Sequence, residues 1–156
     1  MHVILLGYRG CGKTSVGKKL AMKLWRDFVD SDDEVRRRFD GRSIADIWER
    51  EGEAAFRAAE VEVTRELVAR EGPWVIALGG GTVMQPEARA AVEAADARRV
   101  YLRCSVEELA RRLSADTDTL LSRPSLTGAG TSVEEIAGVL AEREPVYEAV
   151  ADAVFD

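Results

Sequence analysis

A chain of 156 residues, 46% of them hydrophobic, is long enough to bury one sizeable core and short for two, so a single domain over 1–156 is expected. Its 28 acidic and 22 basic side chains leave a formal net charge of -6, which argues against a surface built mainly to neutralise nucleic-acid phosphates. Charged residues interrupt every apolar stretch well before bilayer length, the run at 3–6 is too short for a signal-peptide core, and Cys11 and Cys104 make no disulfide framework. The expected setting is the reducing cytoplasm, with neither membrane nor nucleic acid as partner.

Short apolar runs ending in glycine or aspartate alternate with longer segments of helical period, the pattern of a parallel sheet covered by helices on both faces. The expected fold class is α/β, with strands at 3–6, 28–29, 75–78, 99–102 and 153–155. The first strand runs into GYRGCGKT at 7–14, which fits G-x-x-x-x-G-K-[ST], and a helix expected at 13–25 follows at once. Gly7, Gly10 and Gly12 let the backbone turn its amides toward phosphate oxygens at a helix N-terminus. Lys13 adds a charge near the outer phosphates, and Thr14 offers a hard oxygen suited to Mg²⁺. Cys11 stands where a small residue is needed; filler is the plainer reading and a redox sensor the alternative. Val16, Leu20 and Leu24, widened by Gly17 and Ala21, form the stripe expected to pack on the sheet.

After the second strand, Asp30 and Asp32 lie two apart, so in extended chain both carboxylates face one side of the sheet's C-terminal edge, where ligands bind in open α/β sheets. One can orient a magnesium-bound water while the other accepts a proton from an attacking hydroxyl. Alternatively Asp32 or Asp33 caps the following helix. Spacing leaves the two readings even, and the neighbouring phosphate loop favours the functional one.

Along a helix expected at 53–70, Phe56, Val63 and Leu67 share a stripe with Glu60, which therefore needs a partner; Arg57, three residues earlier, is the nearest. Gly79, Gly80 and Gly81 allow a close backbone approach to a ligand, or simply a tight turn. The segment 114–131 has no clear period and reads as a mobile loop. Its Arg123 either covers phosphates on closure or is an ordinary surface residue. Ser132 and Glu135 form a capping box opening a late helix on which Ile136, Leu140 and Tyr147 share a face with Arg143. Pro145 leaves the phase beyond it open. Arg57 alone serves equally as an ion-pair partner or a ligand group, but two inward arginines in an acidic chain suit an anionic substrate.

Together these residues resemble the shikimate kinases, P-loop enzymes related to the nucleoside monophosphate kinases. The likeness covers nearly the whole chain: the phosphate loop, Asp30 and Asp32, GRSIADIW at 41–48, GEAAFRAAE at 52–60, GGG at 79–81, RP at 123–124 and REPVY at 143–147. It implies a three-layer sandwich whose five-stranded parallel sheet has the phosphate-loop strand at its centre. It also implies a monomeric enzyme that uses ATP and Mg²⁺ to phosphorylate the 3-hydroxyl of shikimate, on the route to aromatic amino acids.

By that resemblance Gly10, Cys11, Gly12, Lys13, Thr14 and Ser15 hold the phosphates, Arg112 stacks on adenine, and Arg123 reaches the phosphates from a lid over about 114–131. Asp32 meets the reacting hydroxyl, making Lys13, Asp32 and Arg123 the catalytic set, while Thr14 and Asp30 serve the metal. Arg57 and Arg143 hold the substrate carboxylate, Gly79, Gly80 and Gly81 give backbone contacts, and Trp48 and Phe56 form pocket wall within a substrate-binding region at about 33–70. Ser125 replaces the family's usual leucine. The sequence ends at Asp156, where the family usually continues through a loop touching adenine, so weak discrimination among purine nucleotides is expected.

Two other readings are a different small-molecule P-loop kinase, such as a gluconate kinase, and an inactive nucleotide-binding regulatory domain. The aspartate pair, the glycine triplet and both arginines favour shikimate over gluconate, and intact Lys13, Thr14 and Asp32 disfavour inactivity. No N-K-x-D or T-K-x-D segment supports a GTPase.

Overall fold

The computed structural model describes residues 1–116 and 132–156. Five strands, β1 (His2–Leu6), β2 (Asp27–Asp30), β3 (Trp74–Ala77), β4 (Ala97–Leu102) and β5 (Ala153–Phe155), form one sheet in the order β2-β3-β1-β4-β5. Every pairing is parallel. The helices are α1 (Lys13–Leu24), α2 (Ser31–Arg38), α3 (Ile44–Glu51), α4 (Glu53–Val68), α5 (Pro86–Ala94), α6 (Val106–Ala115) and α7 (Val133–Val150). Among the described residues no helix is long and apolar enough to cross a membrane.

The unbroken apolar run of β1 follows from burial on both faces, because successive side chains of a strand point to opposite sides. Ile4 and Leu6 join the larger core cluster with Ile76, Leu78 and the apolar face of α4, whereas Leu5 and Val75 pack with Ala21 of α1. With β3 and β4 flanking β1, the sheet's order reverses at β1, and the crevice that ligands use in such sheets opens beyond its carboxyl end.

The α1 stripe differs from expectation. Gly17 and Ala21 are its buried residues, while Val16 and Leu24 are each 42% exposed. A Cβ at Gly17 would collide with Phe28 Cε2 and lie 3.2 Å from Leu5 Cδ1, so the helix meets the sheet through its smallest residues and the larger ones flank the contact. The late helix keeps its phase through Pro145. Ser132 Oγ caps it by accepting from Glu135 N at 3.1 Å, and Ile136, Leu140 and Tyr147 are all buried. The face carrying Arg143 is therefore continuous with the one carrying Tyr147, whose hydroxyl donates to Gly80 O.

Candidate active site

The loop after β1 turns sharply through glycines in the left-handed region, Gly10 at φ 83° and Gly12 at φ 99°. Lys13 Nζ bridges the loop, donating to Gly7 O at 2.7 Å and Tyr8 O at 3.0 Å. Thr14 Oγ1 donates to Asp30 Oδ2 at 2.7 Å, and Asp30 Oδ1 accepts from Asp32 N at 2.9 Å. One carboxylate thus joins the phosphate loop to the first turn of α2.

The aspartate geometry corrects the extended-chain expectation. Only Asp30 ends β2, and it is Asp30, rather than Asp32 or Asp33, that caps α2; Asp32 stands in the helix's first turn. The cap turns the chain, so the two carboxylates converge by helical rather than strand geometry. Both still line a cavity of about 330 Å³ with Lys13, Thr14 and Gly80. Asp32, only 7% exposed, also lines a second cleft with Trp48, Phe56, Arg57, Gly80 and Arg143. A third cavity, of about 880 Å³, shares Gly12, Ser15 and Arg112 with the first and is bordered by Cys11 and Cys104. Arg112 is held over the loop by its bonds to Glu108 Oε1 at 2.6 Å and Gly10 O at 3.4 Å. Bonds from Arg111 and Arg112 pull the Glu108 carboxyl down to about 2.

The glycine triplet is explained by space. None of the three has positive φ, yet each backs onto a different side chain of the site. A Cβ at Gly79 would lie 2.7 Å from Asp32 Oδ1 and 2.8 Å from Glu60 Oε1; one at Gly80, 3.4 Å from Arg143 Nη1; one at Gly81, 2.6 Å from Arg57 Nη1. Three consecutive side-chain-free positions let the aspartate and both arginines close on one stretch of backbone.

Arg57 and Glu60 pair as the helical spacing suggests, Nη1 to Oε2 at 2.8 Å, with Glu60 1% exposed. Arg57 also lies over Trp48 at 5.6 Å and Phe56 at 5.4 Å from the ring centroids, so the expected pocket wall packs against the guanidinium. Arg143 lies 5.9 Å from the Tyr8 ring centroid, and burial pushes the Tyr8 hydroxyl above its ordinary range. Cys11 is buried within the loop.

Ser15 sits exposed in the first turn of α1 at the shared edge of the first and third cavities. Arg123 and the expected lid between 117 and 131 lie outside the described residues. Sequence reasoning missed Arg9, 7% exposed and bordering both the phosphate cavity and the arginine cleft. It occupies an unspecified position of the phosphate-loop pattern, so only its charge within an apolar context marked it. The further donors to Glu60, Thr82 and Gln85, were missed as well.

Among the described residues no group of three or more His, Cys, Asp or Glu gathers as a metal-binding cluster. Thr14 Oγ1 and Asp30 Oδ2 offer two hard oxygens beside the phosphate loop, a donor set that fits a cation taking its remaining ligands from phosphates and water.

A phosphate loop at the switch point of a parallel sheet, facing an arginine-lined cleft across a shared carboxylate, defines a small-molecule kinase of the P-loop class. Comparison with known proteins carries this further. The family model for shikimate kinase matches residues 9–156. Shikimate kinase 2 of Sodalis glossinidius is 41% identical over 99% of this chain and 86% of its own length. The shikimate kinase of Rhodopirellula baltica is 41% identical over 99% and 81%. The structure of shikimate kinase from Acinetobacter baumannii in complex with shikimate aligns at a TM-score of 0.89 and 35% identity, over 99% of this chain and 82% of that one. That from Bacteroides thetaiotaomicron aligns at 0.87 and 30%, over 100% and 86%. The chain belongs to the shikimate kinase family, ATP-dependent phosphotransferases of aromatic amino-acid biosynthesis that act with a divalent cation.

Proposed function

We propose that this chain transfers the γ-phosphoryl group of ATP to the 3-hydroxyl of shikimate, with Asp32 at the junction of the two substrates. The observation that carries this reading is that Asp32 borders both the phosphate cavity and the arginine cleft. An acceptor whose carboxylate meets Arg57 and Arg143 presents a ring hydroxyl to Asp32, which faces the end of the phosphate chain.

In the reaction the acceptor oxygen forms its bond to the γ-phosphorus as the bond from that phosphorus to the bridging oxygen breaks, and the hydroxyl proton passes to Asp32. Catalysis here is positioning and charge stabilisation, supplied by the loop amides and Lys13, with Arg123 a further phosphate contact by family resemblance. Thr14 and Asp30 would hold a bound Mg²⁺, which would neutralise phosphate charge there. The nucleoside occupies the large cavity under Arg112, and the α2 to α4 region forms the acceptor side. The enzyme works as a cytoplasmic monomer: the family resemblance supports the monomer, and two cysteines, too few for a disulfide framework, suit a reducing compartment.

ADP release measured with shikimate, gluconate, nucleotides or no added acceptor tests the assignment. Release dependent on shikimate supports it. Release on gluconate or a nucleotide would move the chain to another acceptor, and release without any acceptor would make it an ATPase.

A further inference from the structure

Glu60 is a buried carboxylate with more partners than an ion pair needs. Its Oε2 accepts from Arg57 Nη1 at 2.8 Å and from Gln85 Nε2 at 2.8 Å, and its Oε1 accepts from Thr82 Oγ1 at 2.6 Å. Thr82 is fully buried and belongs to the short turn that follows the glycine triplet, while Gln85 is partly exposed at the end of that turn.

Gln85 is also the residue before the first turn of α5. That position favours a short side chain capping the helix's free amides, yet Gln85 makes no such bond. Its amide reaches away from the helix it precedes, to a carboxylate on α4. Local helix stability does not account for that choice; the contact with Glu60 does.

A buried ion pair offsets its desolvation cost only when further hydrogen bonds satisfy the carboxylate's remaining lone pairs. Here two neutral donors share the load on Glu60; Arg57 meets it through Nη1, and the exposed Glu53 lies 3.7 Å from Arg57 Nε. Both terminal nitrogens of Arg57 face the Gly81 backbone, Nη1 2.6 Å and Nη2 3.0 Å from where a Cβ would be. Arg57 lines the cleft with Arg143, Trp48 and Phe56 while so held.

We infer that Gln85, with Thr82, is a positioning residue for the substrate-carboxylate site: by hydrogen-bonding Glu60 it sets the orientation of Arg57. This rests on the proposed role of Arg57 as a carboxylate ligand. Gln85 touches neither substrate nor phosphate; it works two contacts away from the acid it helps to hold.

The test uses Gln85→Ser and Gln85→Met in the full-length enzyme. Serine is a better helix cap, so its thermal midpoint should equal or exceed the wild type's, while methionine keeps length and removes the donor. Both should raise KM for shikimate roughly tenfold, the lower end of what losing a supporting outer partner costs, with KM for ATP and kcat close to wild type. In an Arg57→Lys background, where the fork is gone, either change should add less than twofold. An unchanged KM for shikimate, an equal rise in both KM values, or full additivity with Arg57→Lys would overturn the inference. If the wild type does not phosphorylate shikimate, the assignment of function fails first. Gln85→Met must then still lower the thermal midpoint of the wild type but not of Glu60→Gln; a midpoint lowered equally in both overturns the link to Glu60.

Discussion

Thr14 Oγ1 and Asp30 Oδ2 stand 2.7 Å apart, so the hydroxyl that the phosphate loop offers to a cation is held by the same carboxylate that caps α2. The two oxygens of Asp30 have separate duties, one toward Thr14 and one toward the amide of Asp32.

That division predicts the behaviour of Asp30→Asn. Asparagine caps a helix as well as aspartate, so the thermal midpoint should hardly move. Its amide nitrogen cannot accept from Thr14 or hold a cation's water through an anionic oxygen. The Mg²⁺ concentration giving half-maximal rate should rise by roughly tenfold. A lowered midpoint with an unchanged Mg²⁺ requirement would reduce Asp30 to a helix cap.

Gly81→Ala tests the spatial account of the glycine triplet. The added methyl meets the far end of Arg57, 2.6 Å from Nη1, which can swing aside without disturbing the core. Stability should fall only in part while the guanidinium is displaced, because Glu60 keeps its bonds from Thr82 and Gln85. Misplacing a substrate-binding group by about 1 Å can cost up to about 100-fold in kcat/KM. Normal kinetics in this variant would show that Arg57 is not needed where it stands.

Arg57 and Arg143 approach Gly81 and Gly80 from α4 and α7, so they are expected to act as one clamp. Truncating one member of a desolvated charge pair costs roughly 2 to 5 kcal/mol. Arg143→Ala should therefore weaken capture of shikimate severely, and should impair an analogue lacking the carboxylate little beyond its already poor reaction. Equal losses on both compounds would assign Arg143 to the phosphates or the fold.

His2 carries a pH dependence of stability. It is 5% exposed, and its Nδ1 accepts from Trp74 N at 3.1 Å, tying β1 to the start of β3. Burial, then the nearby N-terminal ammonium and Arg26, lower its pKa from 6.5, against the opposing effects of the Val68 carbonyl and Asp96. Between the folded and unfolded values the unfolded chain binds more protons, so this contribution is complete above about pH 6.5 and is lost as pH falls below it. Relative to His2→Asn, the wild type's advantage in thermal midpoint should shrink from pH 7.5 to pH 5. A constant difference across that range would contradict it.

The elements that sequence made legible are those whose signal is local. The phosphate loop, the strands ending in glycine or aspartate, and the inward phase of Glu60, Arg57 and Arg143 all follow from spacing along one element. What stayed hidden depended on packing between elements. The inner face of α1 is centred on Gly17 rather than Val16, because Phe28 occupies the space a side chain would need. Asp32 left the strand because Asp30, two residues before it, already caps the helix. Arg9 and Gln85 lie at positions whose patterns constrain nothing, and only the folded chain brings them to Asp32 and Glu60.

Phosphorus and proton NMR of the product formed from shikimate and ATP tests the central claim most directly. The account predicts one phosphorylated product per ADP, with the phosphate coupled to the proton on carbon 3 of the ring, and its loss in Asp32→Asn by roughly 10² to 10⁴ in kcat. A phosphate on another hydroxyl, or Asp32→Asn turning over at the wild-type rate, would contradict the placement of Asp32 between the two substrates.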